Sequence, residues 1–456
     1  MALLKYQRNR LIVFAVVLLL GGVVLLMTQG LLPGIKKEKL PGPTGPAPIT
    51  LEFWNMFEDA SAYSEQITEY KKLYPNVTIN YTKVSSIEYR EKLRDAFING
   101  TEPDIFVIHN TWLPLEQKSI SPAPALLPSV AQSKIIFPSV VGFDFARDTE
   151  SGERIVYAIP LAIETLGLFY NKDYFDTANI TSPPKTWEEL LDYAKLFTQF
   201  DDKGQIKISG IALGAADNIN RSTDIVGLLM MQGGARMTNE LLTEATFDDQ
   251  VWVGEGASQR RFSPGKEALE FYLAFSDKTR NVYSWDRDMP YSIDAFVEGK
   301  TAMMINYPHQ IPVIMNKAPH LNFATAPVPQ LQGRVEDINY ASYFGLTVSK
   351  NSPDASGAWQ FIDFLASPEN LKKYLAKTKL PTSRRDLILY QQQDTELRHF
   401  VNQIVSARSW YMGDTFSTEI VFLDMIKSAS VGERTVEEAL EDAAARVTVI
   451  IQKIRK

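Results

Sequence analysis

The chain has 456 residues, a length that suggests two domains rather than one ordinary core. Hydrophobic residues make up 45% of it and charged residues 22%, as in soluble globular proteins, and the formal net charge is -7. That balance argues against a nucleic-acid-binding protein, whose binding surface would be basic. The chain has no Cys, which excludes disulfides, thiolate metal sites and a cysteine nucleophile.

An apolar run lies near the start of the chain, at residues 11–27, and three basic residues precede it. Its length is close to the ~20 residues that cross a bilayer. We predict a signal anchor over residues 1–30, a single transmembrane helix with its N-terminus in the cytoplasm and the rest of the chain outside. A cleaved signal peptide is the alternative, but no Ala-x-Ala site follows the run. Residues 31–48 are rich in Pro and Gly and are predicted to be a linker.

Strands and helices alternate in the first part of the body. A strand at 50–54 is followed by an apolar helical face from Tyr63 to Leu73 and by an alternating strand at 77–81. A second helix ends at Gly100, and an apolar strand follows at 104–108. This rhythm predicts an α/β fold with a parallel, doubly wound sheet.

The alternating pattern restarts after residue 155, which predicts a second α/β unit. Two helices there begin with a capping box, one at Thr186 to Glu189 and one at Thr435 to Glu438. In this motif the Thr hydroxyl caps a free backbone N–H, and the Glu side chain reaches back to the start of the helix.

Several short motifs are spread over the body in a fixed order. They are EPDI at 102–105, YAIPLAIETLGLFYNKD at 157–173, PPKTWEEL at 183–190, FVEGKTAMM at 296–304, APVP at 326–329, FLASPE at 364–369 and TVEEAL at 435–440. With these motifs the chain resembles the family 1 extracellular solute-binding proteins, the group that contains the maltodextrin-binding protein. The resemblance covers nearly everything from Thr50 to Lys456.

The resemblance implies a two-lobed, periplasmic-binding-protein-like α/β fold with discontinuous lobes and a hinge, here preceded by the one transmembrane helix. Lobe 1 is expected to contain residues 49–158 plus 323–365. Lobe 2 is expected to contain residues 159–322 plus 366–456. The lobes would close on a ligand in the cleft between them.

The function that the resemblance implies is that of the extracytoplasmic solute-binding protein of an ABC importer. The chain would be a monomer that binds a small solute, a mono- or oligosaccharide, and passes it to ABC permease subunits, with no cofactor and no nucleic acid. It would not be an enzyme, since the sequence carries no catalytic motif and its four His lack metal-ligand spacing. Two alternatives stay open: an exported carbohydrate-active hydrolase, and a ligand-sensing receptor domain that is not coupled to transport.

Sugar sites pair aromatic rings with carboxylates and amides, and ligands of doubly wound folds bind at loops after the strands. After the first strand, Glu58 is expected either to contact a sugar hydroxyl or, with Asp59, to cap the next helix. After the strand at 104–108, Asn110 and Trp112 are expected to line the cleft.

Glu164 is expected to be a main ligand contact, because it matches an acidic, sugar-binding position of the maltodextrin receptor. The alternative for Glu164 is an internal salt bridge. From the rest of the chain, the resemblance implies contacts by Tyr307, or else His309, and by Trp410 and Phe416, since relatives have aromatic contacts in these loops. Tyr343, which precedes another strand, is expected to face the hinge side of the cleft. Which of the residues at 307–309 and 410–416 points into the cleft is open at this point.

Overall fold

The computed structural model describes residues 47–254, 259–333 and 335–455. Across these ranges no helix is long and apolar enough to cross a membrane. The predicted anchor at 1–30 lies outside the described residues, and so does the predicted linker at 31–48 except for its last two positions. The body, Ile49–Lys456, is one compact unit.

The strands are short, and they are distributed along the whole body. In chain order they are β1 (Ile49–Asn55), β2 (Val77–Lys83), β3 (Ile105–His109), β4 (Ile120–Ser121), β5 (Ala146–Asp148), β6 (Arg154–Val156), β7 (Ile159–Pro160), β8 (Glu164–Thr165), β9 (Gly167–Asn171), β10 (Gln199–Phe200), β11 (Ile206–Ile208), β12 (Val251–Val253), β13 (Arg260–Phe262), β14 (Met303–Asn306), β15 (Phe323–Pro327), β16 (Asn339–Ser342), β17 (Phe344–Ser349) and β18 (Ala407–Arg408).

The helices alternate with the strands at first and dominate the C-terminal part. They are α1 (Ser64–Leu73), α2 (Tyr89–Asn99), α3 (Leu113–Glu116), α4 (Pro128–Ala131), α5 (Ser133–Ile136), α6 (Ser139–Phe145), α7 (Lys172–Thr177), α8 (Trp187–Phe197), α9 (Ser222–Gly233), α10 (Pro264–Leu273), α11 (Ser292–Val297), α12 (Gln310–Lys317), α13 (Ala355–Ala366), α14 (Pro368–Thr378), α15 (Ile388–Gln391), α16 (Arg398–Gln403), α17 (Thr415–Ser430) and α18 (Val436–Arg455). Single 3-10 turns lie at Ala60–Ala62, Gln117–Ser119, Arg385–Leu387 and Ile404–Ser406.

The larger sheet has the strand order β2-β1-β3-β17-β4, with β7 also paired to β17. The pairs of β1 with β2 and with β3 are parallel, as the alternating sequence pattern predicts. Strand β17 comes from far along the chain and pairs antiparallel with β3. The loops that follow β1 and β3 therefore emerge at the same edge of this sheet.

A second, smaller sheet has the order β14-β9-β15, and all of its described pairs are antiparallel. The helices α8, α9, α10, α17 and α18 contribute to the apolar core around it. Helix α9 is buried on nearly all sides, which agrees with its run of apolar residues. The sheets and helices together make a mixed α/β fold.

The threonine caps of both predicted capping boxes are present and fix the starts of α8 and α18. The Thr186 hydroxyl accepts from the backbone N–H of Glu189 at 3.2 Å. The Thr435 hydroxyl accepts from the backbone N–H of Glu438 at 3.2 Å, and Glu438 accepts in return from the backbone N–H of Thr435 at 2.9 Å. At α8 the Glu189 carboxylate accepts from the backbone N–H of Lys185 at 2.6 Å, one residue before the cap, so only the box at α18 is reciprocal. The threonine hydroxyls satisfy N–H groups that a helix leaves free at its first turn.

Within the compact body the buried apolar residues form two separate hydrophobic cores, one for each lobe, and their membership differs from the expected boundaries in several places. Strand β7 and Leu161, expected in lobe 2, belong to the first sheet and the first core. Strand β15 pairs with β9 in the second sheet, although lobe 1 was expected to resume at residue 323. Helix α14 packs into the first core through Leu371 and Tyr374, although residues 366–456 were assigned to lobe 2. An amphipathic helix carries no sequence signal for the lobe that it covers, which explains the difference at α14.

Candidate functional site

A cavity of about 540 Å³ lies between the two cores, and residues of both line it. Of the residues predicted from the sequence, it is lined by Glu58, Trp112, Glu164, Tyr307, His309, Tyr343 and Phe416. The loops after β1 and β3 supply the first two, as their position at one sheet edge requires. A cleft of this volume between two lobes suits a small-molecule ligand.

The first lobe contributes four rings that pack edge to face, Phe57, His109, Trp112 and Phe344, which we term the aromatic wall. The centroid of the Phe344 ring lies 4.9 Å from that of Phe57 and 5.9 Å from that of Trp112. Phe57 has 48% of its surface exposed. The aromatic wall therefore offers apolar ring surface to the cavity.

His109 is held inside the aromatic wall by hydrogen bonds to two hydroxyl groups. Its Nδ1 lies 2.7 Å from the Thr111 hydroxyl, and its Nε2 lies 3.0 Å from the Ser342 hydroxyl. Burial, helped by the positive charge of Arg221, lowers the pKa of His109 to about 3. The ring is therefore neutral at physiological pH and acts as part of an uncharged surface.

The second lobe faces this surface with Arg221, Tyr307 and Glu419, and the buried Asp224 lies behind them. We term these four residues the ionic wall. Arg221 donates through Nε to the Asp224 carboxylate at 2.8 Å, and the Tyr307 hydroxyl donates to the same oxygen at 2.7 Å. The Arg221 guanidinium also lies 5.7 Å from the centre of the Tyr307 ring and 3.5 Å from a Glu419 oxygen. Asp224 itself is only 2% exposed, so its buried negative charge is stabilised by these partners and not by water.

Arg221 holds an unusual backbone conformation just before α9, with a φ of 63°. A residue with a Cβ adopts this left-handed region at a cost, and such positions cluster at functional sites. Although burial acts to lower it, the pKa of Arg221 is raised by Asp224, Tyr307 and Glu419. The guanidinium is consequently a permanent positive charge at the cavity surface.

Glu164 and His309 form a hydrogen-bonded pair on the cavity surface. The Glu164 Oε2 accepts from the backbone N–H of His309 at 3.0 Å and lies 2.9 Å from its Nδ1. Although burial acts to lower it, the pKa of His309 is raised by the Glu164 carboxylate. Glu164 therefore makes the internal pair that was the alternative for it and also lines the cavity, and its role as a ligand contact stays a prediction.

Glu58 is held by neutral donors and does not cap the following helical turn. Its Oε1 accepts from the Tyr374 hydroxyl at 2.6 Å, and its Oε2 accepts from the Asn55 amide at 2.7 Å. The turn that follows has Asp59 at its N-cap position without a side-chain cap, so the alternative of a shared capping role is wrong. Burial raises the pKa of Glu58.

Two contacts join the lobes at the rim of the cavity. Arg90 pairs with Asp414 at 2.9 Å and lies 5.5 Å from the centre of the Trp112 ring. The hydroxyl groups of Thr111 and Thr415 are hydrogen-bonded to each other. The first lobe thus contacts the start of α17 directly beside the aromatic wall.

Asn110 and Trp410 do not line the cavity, contrary to expectation. The Asn110 amide donates to Asp144 at 3.1 Å, and the Tyr343 hydroxyl donates to the same carboxylate at 2.6 Å. Trp410 is 4% exposed and packs against Phe422 in the second core. Asn110 is turned inwards because the buried Asp144 needs donors, and burial raises the pKa of that carboxyl to about 7.

The rings of Tyr307 and Tyr343 are also more buried than a stacking platform would be, at 1% and 2% exposure. The His309 ring lies roughly parallel to that of Tyr307, with centroids 5.9 Å apart, and is the more exposed of the two. Phe416 is 62% exposed and lines the cavity. Of the aromatic candidates from the second half of the chain, Phe416 and His309 therefore present the most surface.

Several cavity residues were not predicted from the sequence. Phe57 and His109 adjoin predicted residues in the same two loops, so the loop argument could have included them. Arg221 lies three residues before Asp224 at the start of an apolar helix, and this spacing could have indicated an ion pair between the two. Arg90 and Glu419 carry no comparable signal, because each faces the cavity from a helix whose exposed surface holds other charges.

Metal chemistry finds no support in the part of the chain that the structure describes. No group of three His, Asp or Glu side chains there is arranged to hold a metal ion. The cavity instead pairs ring surface with hydrogen-bonding groups, an arrangement that suits an organic solute.

Known proteins have related sequences and folds. A profile of the bacterial extracellular solute-binding proteins matches residues 56–372. The sn-glycerol-3-phosphate-binding periplasmic protein UgpB of Escherichia coli (strain K12) is 23% identical, over 90% of this chain and 94% of its own. The fold is similar to that of a cyclo/maltodextrin-binding protein complexed with maltotetraose, with a TM-score of 0.70, 19% identity and coverage of 90% of this chain and 99% of the other.

The cyclic alpha-maltosyl-1,6-maltose binding protein from Arthrobacter globiformis also has a TM-score of 0.70, at 18% identity, with 89% of this chain and all of the other covered. These structures share the two-lobed α/β fold. Because the family profile covers more than half of the residues, the sequence match does not depend on one motif. The chain belongs to the bacterial extracellular solute-binding proteins.

Proposed function

We propose that this solute-binding protein captures a carbohydrate in the cavity between its lobes and delivers it to the permease of an ABC importer. The observation that carries the proposal is the pairing of the aromatic wall with carboxylates on one cavity surface. Sugars have weakly apolar C–H faces edged by hydroxyl groups. The aromatic rings of the cavity can therefore stack on the C–H face while its carboxylates accept hydrogen bonds from the hydroxyl groups.

The aromatic wall provides the stacking surface in this proposal. Trp112 and Phe344 are packed at right angles to each other, so a sugar ring that stacks on one meets the edge of the other. Phe416 adds an exposed ring from the second lobe. Closing the lobes on a ligand would bury these rings further, and this burial would favour the closed form.

The carboxylates provide the orienting hydrogen bonds. Glu164 uses Oε2 for both contacts with His309, which leaves Oε1 to accept from a ligand hydroxyl. Glu58 has lone pairs beyond those used by its two neutral donors. Of the other predicted contacts, we assign Trp112, His309 and Phe416 to the ligand. We assign Asn110, Tyr307, Tyr343 and Trp410 to the support of the lobes.

The related proteins support a polyhydroxylated solute. Two proteins of similar fold are described as binding maltodextrins or a cyclic maltosyl-maltose, and one sequence relative as binding sn-glycerol 3-phosphate. Each of those ligands carries several hydroxyl groups. We infer that hydroxyl recognition is the shared element that also applies to this cavity.

Delivery to a permease requires that the receptor stay near the cell surface. We propose that the apolar run at residues 11–27 forms the membrane anchor, with the binding body outside and acting as a monomer. Tethering would keep the receptor at a high effective concentration beside its permease. Fractionation of the full-length chain would test the anchor, and a secreted form that begins near residue 30 would contradict it.

The binding proposal is tested by a thermal-shift screen of neutral mono- and oligosaccharides, since a ligand raises the midpoint by binding only the folded state. The best ligand is then titrated calorimetrically into Glu164→Ala. We expect binding to weaken by about 1.5–3 kcal/mol, the range for a hydrogen bond to a charged group. Glu88→Ala removes an exposed carboxylate outside the cavity and serves as the matched control.

Two results would contradict the proposal. One is the absence of any saccharide that shifts the midpoint. The other is normal affinity in Glu164→Ala together with an earlier melting midpoint, which would leave Glu164 with a structural role only. Release of shortened products from a bound oligosaccharide would instead favour the hydrolase alternative.

A further inference from the structure

Glu58 differs from the other acidic groups at the cavity because no basic side chain within the described ranges is paired with it. Its carboxylate is held by the hydroxyl of Tyr374 and the amide of Asn55, which are both uncharged. The Tyr81 hydroxyl donates to its backbone oxygen. Among the described residues, the charged side chain that influences the Glu58 pKa is Glu164, which has the same sign.

The positive groups at the cavity are already engaged by other carboxylates. Arg90 pairs with Asp414 at 2.9 Å. Arg221 pairs with the buried Asp224 at 2.5 Å, and Glu419 lies 3.5 Å from the same guanidinium. Neither guanidinium is therefore free to neutralise Glu58.

The third basic group, His309, is paired with Glu164 at 2.9 Å. Even with His309 protonated, the cavity residues and their partners comprise five carboxylates and three basic groups. The excess charge is negative, and Glu58 is the carboxylate without a basic partner.

A carboxylate that has lost part of its water without gaining a cation is destabilised. The raised pKa of Glu58 has burial as its largest cause, which agrees with this description. A ligand ammonium group would supply the missing positive charge and could donate up to three hydrogen bonds. A phosphate or carboxylate group would instead meet a field of its own sign.

We propose that the solute is an amine-bearing saccharide whose protonated amine pairs with Glu58. This inference rests on the proposed carbohydrate function and specifies the class of sugar. The Asn55 amide and the Tyr374 hydroxyl hold the carboxylate in place, and the exposed Phe57 ring lies next to it in the chain. Glu58 would act as a specificity-determining residue that distinguishes an amine from a hydroxyl or an acetamide.

The test is calorimetric titration of the full-length protein at pH 7 with matched sugars. The probes are glucosamine, galactosamine and mannosamine, each beside its N-acetyl form and its parent hexose. The β-1,4-linked glucosamine disaccharide, its diacetyl form, cellobiose and glucose 6-phosphate complete the set. We expect at least one amine to bind about tenfold or more tightly than both of its neutral counterparts, the scale of a charge-assisted hydrogen bond.

The same titrations with Glu58→Gln identify the residue responsible. The variant should lose the preference for the amine to within about twofold while it still binds the neutral counterpart. Glu52→Gln removes an equal charge from β1, the strand just before the Glu58 loop, where Glu52 accepts from Asn80 outside the cavity, and should keep the preference. The comparison between ligands needs no variant, so it remains decisive if Glu58→Gln fails to fold.

Several outcomes would overturn the inference. A neutral sugar that binds as tightly as its amine, or a preference for glucose 6-phosphate, would refute it while leaving the carbohydrate function intact. An amine preference that survives in Glu58→Gln would refute the role of this residue. Failure of every sugar in the set to bind, with no hit in the wider neutral screen, would contradict the carbohydrate function as well.

Discussion

The two walls of the cavity are built on different physical principles. The aromatic wall consists of rings that pack edge to face, and its histidine is kept neutral by burial. The ionic wall consists of a buried carboxylate that gathers a guanidinium and a phenol around itself. We therefore expect the aromatic wall to keep its shape when one ring is removed, and the ionic wall to lose stability when one partner of the buried Asp224 is removed.

The strongest test of this comparison is removal of the central acid of the ionic wall. Asp224→Ala leaves the Arg221 guanidinium and the Tyr307 hydroxyl without their shared partner. We expect the free energy of unfolding, measured in urea, to fall by about 3–5 kcal/mol. Asp217→Ala, which removes an exposed acid paired with Lys427, should cost less than about 1 kcal/mol. Equal losses in the two variants would remove the distinction.

The pH dependence of stability tests the neutral histidine of the aromatic wall. The pKa of His109 is about 3 in the folded chain and ~6.5 when unfolded, so the unfolded state binds more protons between these values. Its contribution is therefore intact above pH 6.5 and is lost as the pH falls towards 3, by up to about 1.4 kcal/mol for each pH unit.

Urea unfolding at pH 7, 6 and 5 would measure this loss. His109→Gln keeps a donor and an acceptor for Thr111 and Ser342 but cannot be protonated in this range. The variant should lose less stability than the wild type on acidification. Equal losses of stability in His109→Gln and the wild type would show that His109 can be protonated in the folded state within this pH range, which would contradict the prediction.

Removal of one ring tests whether the aromatic wall acts in ligand binding. Trp112→Ala should weaken binding of a saccharide by about 1–2 kcal/mol, because a stacking surface and its buried area are lost. Trp252→Ala is the matched control, since Trp252 is 61% exposed on β12 and does not line the cavity. Calorimetric titration of both variants gives the comparison, and equal affinities would exclude a stacking role for Trp112.

The smallest effect is expected from His309, the histidine that faces the cavity beside the ionic wall. Its pKa is raised above 6.5, so the stability that it gains from Glu164 is complete below the unfolded pKa and is lost as the pH rises through the folded value. Because the side chain is 46% exposed, we expect less than about 1 kcal/mol.

The measurement is the difference in unfolding free energy between the wild type and His309→Gln. This difference should become smaller between pH 6 and pH 9. The corresponding difference between the wild type and His109→Gln should instead become larger as the pH rises. A difference that grows with pH would contradict the assignment of the Glu164 pair.

One member of each wall, Trp112 and Tyr307, was predicted from the sequence, but only for the loop of Trp112 did the hydrophobic pattern supply the physical reason. Glu58 and Trp112 follow apolar strands, and the parallel order of those strands is enough to bring their loops together. The hydrophobic pattern likewise predicted the parallel strands β1, β2 and β3. The Thr-x-x-Glu motifs predicted the threonine caps of α8 and α18, because such caps depend on residues near each other in the chain.

The ionic wall could not be predicted in this way. Tyr307 lies 83 residues from Asp224, and nothing in the local pattern indicates that its hydroxyl turns inwards to that acid. The same holds for Asn110, whose amide serves the buried Asp144 and not the cavity. Long-range polar pairing decides which way a side chain points, and local periodicity carries no information about it.

Strand β17 has a consequence for the order in which the chain can be completed. It pairs with β3, and the hydrogen bond beside that pair joins His109 to Ser342, 233 residues later. A growing polypeptide therefore holds β3 with one open edge until residue 349 has emerged from the ribosome. Such an edge can recruit a neighbouring chain, so synthesis that stalls before Phe344 should yield aggregates even though most of the first lobe is already made.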